Sequence, residues 1–310
     1  MSSRTALILP TLNAGPAFVD WLAALRGQSV LPHRLILVDS ASTDDTVRLA
    51  SDFGFEVNSI RREEFSHGGT RQMCVEQLEN SDILIFLTQD AVLATPDALG
   101  NLLAWFDDPG VAAVYGRQLP RRGAGPIEAH ARLFNYPDED LVKTEADIPR
   151  LGIKTAFISN SFAAYRRSSL MRIGGFPTDT IVSEDTYTAS KLILAGRKVV
   201  YASKAAVYHS HRMTYRQEIQ RYFDIGVFHA REPWIRQRFG QAGGEGSRFV
   251  RSELRYVLTH KPSAIPSVLF RSGLKLAGYK LGHIEATLPV WLKKRLSGSK
   301  GYWKRRAGTV

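Results

Sequence analysis

Chemistry in this chain is concentrated where apolar runs end. The run Leu35–Val38 stops at Asp39, ahead of Ser40-Ala41-Ser42-Thr43-Asp44, and the run Ile83–Leu87 stops at Thr88-Gln89-Asp90. A carboxylate at the mouth of a buried strand can hold a ribose or base edge, or a hard divalent cation bridging diphosphate oxygens. Each can equally cap the helix that follows, because short side-chain oxygens accept orphan backbone N–H groups. Pro10-Thr11-Leu12-Asn13 closes the first apolar run and by itself reads as a polar turn. Phe65-Ser66-His67-Gly68-Gly69-Thr70-Arg71 leads into a helix. Its glycines let backbone N–H groups approach a ligand, the helix N-terminus favours an anion, and Arg71 can add a charge-assisted contact. The spacing is neither GxGxxG nor a P-loop. Ser183-Glu184-Asp185 opens another helix with Ser183 as candidate cap. A carboxylate in a first helical turn is held charged by the macrodipole, which suits a general base. His209 and His211 flank Ser210 at a strand end. Alternate strand residues share a face, so the two imidazoles either line a metal site or form a solvated pair. Combined with Asp90, an imidazole makes a mixed nitrogen–oxygen site that suits manganese better than calcium.

These residues need a scaffold that gathers strand ends. Ala6–Leu9, Leu35–Val38, Phe55–Ser59, Ile83–Leu87 and Val111–Tyr115 read as strands. Helical stretches separate them at Pro16–Leu25, Asp44–Phe53, Thr70–Leu78 and Pro96–Phe106. Repeated β-α-β units imply a mostly parallel sheet with helices on both faces and a ligand crevice beyond the carboxyl ends of the strands. Residues 117–155 read as a long loop with short helical pieces. Phe157–Tyr165, Val199–Tyr201 and Ala206–His209 read as further strands, with Arg167–Ile173 and Glu184–Ala195 as helices. Beyond His211 the pattern is helical: Gln217–Phe239, Ser247–Thr259 and Pro266–Leu281.

The chain has 310 residues and a formal net charge of +11, unevenly placed. Residues 1–210 carry 21 Lys+Arg against 24 Asp+Glu, whereas 211–310 carry 20 against 6. A near-neutral two-thirds is thus joined to a strongly basic, mainly helical last third, which implies an anionic partner for that part. Aromatic and aliphatic residues beside cations, as in Val290-Trp291-Leu292-Lys293-Lys294-Arg295, favour an anionic membrane surface, with self-association as a further use. No nucleic-acid motif accompanies the charge, so nucleic acid is not an expected partner. Gly298–Val310 reads as a flexible basic tail with Trp303 as an interfacial anchor. One cysteine, Cys74, excludes an internal disulfide and fits a reducing compartment. The beginning of the chain lacks the apolar run of a secretory signal. The longest apolar candidate, Ile265–Leu292, is broken by Arg271, Lys275, Lys280, His283 and Glu285 and is not a membrane span.

Taken together and in order, ILPTLN, LVDSASTDDT, HGGTRQ, FLTQDA, IGGFP and SEDTYTASKLILAGRKVVYASKAAVYHSH resemble bacterial family 2 glycosyltransferases of the GT-A fold, an α/β Rossmann-like architecture. The resemblance covers roughly residues 4–212, which makes 1–212 the expected catalytic domain and 213–310 a basic, mainly helical region beside it; FSHGGTR with TQDA is most similar to rhamnosyltransferases of polysaccharide assembly. It implies a nucleotide-sugar donor, dTDP-L-rhamnose or else a UDP-sugar. It also implies Mg²⁺ or Mn²⁺, inversion at the sugar carbon, and a saccharide or lipid-linked saccharide acceptor. The enzyme would then work in the cytoplasm, peripherally on the inner face of the plasma membrane. By motif, Pro10, Thr11, Asn13 and Asp39 would hold the nucleoside, with Ser40, Gly69 and Gln89 beside the donor. Arg71 would face the diphosphate or pack beside the nucleoside. Asp90 would bind the metal with His209, or His211 as its substitute. Asp185 matches the base, with Glu184 supporting the acceptor or the base. Thr88 stands where the family has a first metal-binding acid.

Overall fold

A computed structural model shows a mixed nine-stranded sheet between helices, and describes residues 3–240 and 244–307. The first half alternates as expected: β1 (Thr5–Thr11), α1 (Phe18–Arg26), β2 (Arg34–Asp39), α2 (Thr46–Phe53), β3 (Glu56–Ser59), α3 (His67–Gln77) and β4 (Ile83–Leu87). These four strands run parallel in the order β3-β2-β1-β4. Neighbouring strands on either side of β1 lead away in opposite directions, so a crevice opens at its carboxyl end. β1 and β4 are buried on both faces: Ala6, Ile8, Leu84 and Phe86 point to one layer, and Leu7, Leu9, Ile83 and Ile85 to the other.

The second half adds the antiparallel pairs that make this sheet mixed. It contains β5 (Val92–Leu93), α4 (Ala98–Leu103), β6 (Val111–Leu119), α5 (Pro126–Asn135), β7 (Leu141–Lys143), α6 (Ile148–Leu151) and β8 (Phe162–Arg166). It then continues through α7 (Arg167–Arg172), α8 (Glu184–Leu194) and β9 (Lys198–Tyr208). β8 runs antiparallel between β4 and β6, while β6 and β9 are parallel. The expected loop 117–155 is largely ordered structure, because Pro126 starts α5 at a position needing no N–H donor and Leu141–Lys143 pairs with β9. The expected strand 157–165 begins only at Phe162, and the two short strands near 200 are one strand with register shifts.

The helical region comprises α9 (Tyr215–Arg231), α10 (Pro233–Phe239), α11 (Glu245–His260), α12 (Ile265–His283), α13 (Val290–Leu296) and α14 (Lys300–Ala307). The expected helix 217–239 breaks at Glu232 because Pro233 cannot continue its ladder. α9 and α12 meet backbone to backbone: a Cβ on Gly282 would stand 2.1 Å from the Phe223 carbonyl oxygen. Phe223, Val227, Phe228, Ile235 and Phe239 join the same hydrophobic cluster as Ile8 and Phe86, so the core runs from the sheet into these helices.

The tail corrects an expectation. Residues 300–307 form α14, and Trp303 is only 4% exposed, packed against Arg231 and Lys293 instead of projecting outward. Its last three positions, 308–310, lie outside the described residues. Asp224 accepts hydrogen bonds from the Ser297 hydroxyl and from the Gly298 and Ser299 N–H groups. The Ser299 hydroxyl then donates to the Ile181 carbonyl at 3.3 Å, and Arg306 pairs with Asp179 at 2.8 Å. α14 is thereby fastened to the loop that precedes Glu184 and Asp185.

Candidate active site

Loops after β1 and β2 are stitched into one wall. The Asp39 carboxylate accepts from the Thr11 hydroxyl at 3.0 Å and from the Ser42 N–H at 2.8 Å. The Asn13 side-chain oxygen accepts from the Thr43 N–H at 2.8 Å. Asn13 and Ala41 both hold φ in the left-handed region, at 46° and 63°, which non-glycine residues rarely adopt without surrounding support. Gln89 closes the far side: its amide accepts from the Leu12 N–H at 2.8 Å and donates to the Leu12 carbonyl at 3.1 Å. Pro10, Thr11, Asn13, Asp39, Ser40 and Gln89 thus share the crevice at the carboxyl end of β1.

Gly69 and Arg71 stand elsewhere. Ser66 caps α3 by accepting the Gly69 N–H, and a Cβ on Gly68 would come within 1.8 Å of the Pro177 carbonyl oxygen. This glycine pair permits close packing and its first donor is already satisfied. Arg71 is 4% exposed, and its guanidinium donates to Glu184 at 2.9 Å and to the His67 carbonyl. Its charge is taken up by the first carboxylate of the acidic pair.

Asp90, His209 and His211 come together, with one ligand atom from each lying within 4.8 Å of the others. His211 Nε2 is 3.1 Å and His209 Nε2 3.4 Å from the Asp90 carboxylate. Gln118 takes the other His209 nitrogen at 2.9 Å, which leaves Nε2 turned toward Asp90. Thr88, in place of the expected acid, donates to Asp90 at 2.6 Å and orients it. Burial would raise the Asp90 carboxyl, but hydrogen bonding to the two histidines outweighs burial and holds it well below the ordinary range. Two imidazole nitrogens, one ionised carboxylate and an orienting partner fit a borderline cation such as Mn²⁺ better than Ca²⁺.

The acidic pair is split by its surroundings. Glu184 is buried, and Asn160 donates to it at 3.1 Å beside Arg71. Burial works to raise its carboxyl, but the Arg71 charge together with His67 and the Asn160 hydrogen bond lowers it. Asp185 has no ion-pair partner among the described residues. It accepts from the Thr186 N–H at 2.7 Å and the Asn160 N–H at 3.4 Å. Burial first, and the Glu184 charge second, raise it above the ordinary carboxylate range. One carboxylate is thus a fixed anion and its neighbour an acid–base group. Ser183, expected as the cap, sits at φ 62° with no side-chain cap, so the αL turn itself starts α8.

Three consecutive residues that sequence reasoning placed in a strand connect the clusters. Ser159 accepts from Gln118, which holds His209; Asn160 holds Glu184 and Asp185; the Ser161 carbonyl accepts the Thr88 N–H. Tyr165 fixes Asn160 through a 2.7 Å hydrogen bond from its hydroxyl. Their one signal was polarity: Ser-Asn-Ser interrupts an otherwise apolar stretch before Phe162.

The model of the glycosyl transferase family 2 matches residues 6–174, which contain the crevice, Asp90 and the Ser159–Ser161 connection. The chain belongs to that family. This family 2 glycosyltransferase is 50% identical over 301 residues to the O-antigen chain rhamnosyltransferase RfbN of Salmonella typhimurium strain LT2, covering 97% of this chain and 96% of that one. It is also 50% identical over 298 residues to the O-antigen chain rhamnosyltransferase WbaN of Salmonella anatum, covering 96% and 95%. Among solved structures, a mannosyltransferase from Pyrobaculum calidifontis in complex with GDP-Man and Mn²⁺ superposes with a TM-score of 0.56. It is 21% identical and covers all of this chain and 87% of that one. TarS 1-349 of S. aureus in complex with UDP-GlcNAc gives a TM-score of 0.53 at 15% identity, covering 91% of each chain. These two likenesses establish that the family 2 enzyme has a GT-A architecture.

Proposed function

We propose that this glycosyltransferase moves L-rhamnose from dTDP-L-rhamnose, with inversion, onto a saccharide or lipid-linked saccharide during O-antigen assembly. The observation that carries the sugar assignment is the 50% identity to two O-antigen rhamnosyltransferases over nearly their whole length. The crevice at Thr11, Asn13, Asp39 and Gln89 receives the nucleoside, and Asp90, His209 and His211 hold Mg²⁺ or Mn²⁺. A bound cation supplies charge neutralisation at the departing diphosphate. Asp185 takes the proton from the acceptor hydroxyl, whose oxygen attacks the anomeric carbon opposite the nucleoside diphosphate. The carbon–oxygen bond to that diphosphate breaks and the configuration inverts. Glu184 stays ionised against Arg71 and keeps Asp185 basic. Arg71 has a positioning role here, in place of a donor contact.

An anionic membrane surface on the cytoplasmic side is the proposed location. No helix among the described residues is long and apolar enough to cross a membrane. Leu269, Phe270, Val290 and Trp291 are nevertheless exposed on α12 and α13, and Arg216, Lys294, Arg295 and Lys300 line the adjoining cleft with Phe270 and Trp291. A screen of nucleotide-sugar donors, read as nucleoside diphosphate release with Mg²⁺ or Mn²⁺, tests the function. Release confined to dTDP-L-rhamnose is expected; release from UDP-sugars alone would sink the rhamnosyl assignment.

A further inference from the structure

A second cavity of about 1590 Å³ lies among α5, α9, α11 and α12 and has His211 of the metal triad in its lining. Arg132 of α5 and Arg221 of α9 also line it. Arg132 is half-buried and Arg221 exposed, and neither side chain has a hydrogen-bond or ion-pair partner among the described residues. Burial, with Arg221 among the neighbouring charges, pulls the Arg132 guanidinium below its usual range. The acids nearby are committed: Glu128 is held by Arg121 and the Ser210 hydroxyl, and Asp90 by the two histidines and Thr88. Elsewhere in the lining Arg271 lies 3.1 Å from Glu218, buried Glu253 has a carboxyl raised by burial and no hydrogen-bond partner among the described residues, and the wall is apolar at Tyr222, Ile225, Phe249 and Leu254. Cations without counterions at one end and an apolar wall beyond them describe a receptor for an anionic head carrying an apolar chain.

We infer that Arg132 and Arg221 bind a phosphate or diphosphate group on the acceptor, in a subsite distinct from the donor crevice, with the apolar wall receiving the chain attached to it. This rests on the transferase reading of the site but not on which sugar is moved. The anion sits on the His211 side of the triad, so it orients the acceptor hydroxyl toward Asp185 while the donor occupies the crevice at β1.

Calorimetry on the full chain in EDTA, which removes metal-held diphosphate from the signal, tests the subsite with geranyl diphosphate, inorganic pyrophosphate and geraniol as probes. Geranyl diphosphate should bind more tightly than pyrophosphate, and geraniol more weakly than either. Arg132→Gln combined with Arg221→Gln should weaken geranyl diphosphate at least about tenfold, the loss expected for removing charge-assisted contacts. Binding of dTDP with Mn²⁺, and the melting temperature, should stay as in the unmodified chain. Unchanged geranyl diphosphate binding in the double variant overturns the proposal. A parallel loss of dTDP binding also overturns it, by moving the arginines to the donor. Displacement by phosphatidylglycerol vesicles as effective as by geranyl diphosphate overturns it in favour of bilayer lipid. Because the readout is binding, a donor screen that fails for rhamnose leaves this test intact.

Discussion

Two adjacent carboxylates with opposite fates define the site at the scale of single residues. Glu184 is held charged by Arg71, and Asp185 is raised by burial and by the Glu184 charge. Asp185→Asn should leave dTDP–Mn²⁺ binding in place and remove nearly all transfer, measured as rhamnosyl product per enzyme; a rate within about tenfold, or ~1.4 kcal/mol, would exclude it as the base. Because a base acts only when deprotonated, and this carboxyl is raised, the rate should climb with pH along a limb displaced above the ordinary carboxylate range. Glu184→Gln removes one cause of that rise, so the limb should move to lower pH. It also leaves Arg71 buried without its counter-charge, at a cost of about 3–5 kcal/mol visible in denaturant melts. The residue types here were legible because Asp39 and Asp90 stand at turns after apolar runs and Asp185 opens a helix. What each side chain touches was not. Arg71 reads as an anion ligand until Glu184, 113 positions away, is found against it.

Among elements, the parallel half was readable from apolar runs with helical spacing between them. The antiparallel half was not, since an apolar run does not disclose the direction of its partner. Phe157–Tyr165 shows the same limit: its apolar composition suggests strand throughout, while Ser159–Ser161 use their polar groups to join the Asp90–His209–His211 cluster to the acidic pair. Glycines in α9 and α12 were equally opaque, because close helix approach is a property of two elements at once. Gly282→Ala should overpack that contact and cost about 1–3 kcal/mol, read as a lowered denaturation midpoint with the slope preserved. An unchanged midpoint would mean that the helices separate freely there.

For the whole molecule, the +11 charge resolves into a near-neutral catalytic region and a basic helical one that share a single hydrophobic cluster. The sequence boundary near residue 212 marks a change in charge and helix content, and the core crosses it. α14 makes the coupling explicit, since Ser299 and Arg306 hold the loop before Glu184. Truncation after Ser297 should therefore lower transfer more than it lowers dTDP–Mn²⁺ binding, measured side by side. Equal losses would show that the segment serves only general stability.

That brace also has a consequence for synthesis. Arg305 donates to the Phe65 carbonyl across 240 positions, and the loop at Asp179–Ile181 is made well before the residues that fasten it. At about 5–20 residues per second, a ribosome takes on the order of ten seconds to travel from that loop to α14. Throughout that interval Tyr302 and Trp303, which complete the shared hydrophobic cluster, are still missing from the chain. The loop before Glu184 and Asp185 is therefore fastened only once the last segment of the described chain has been made.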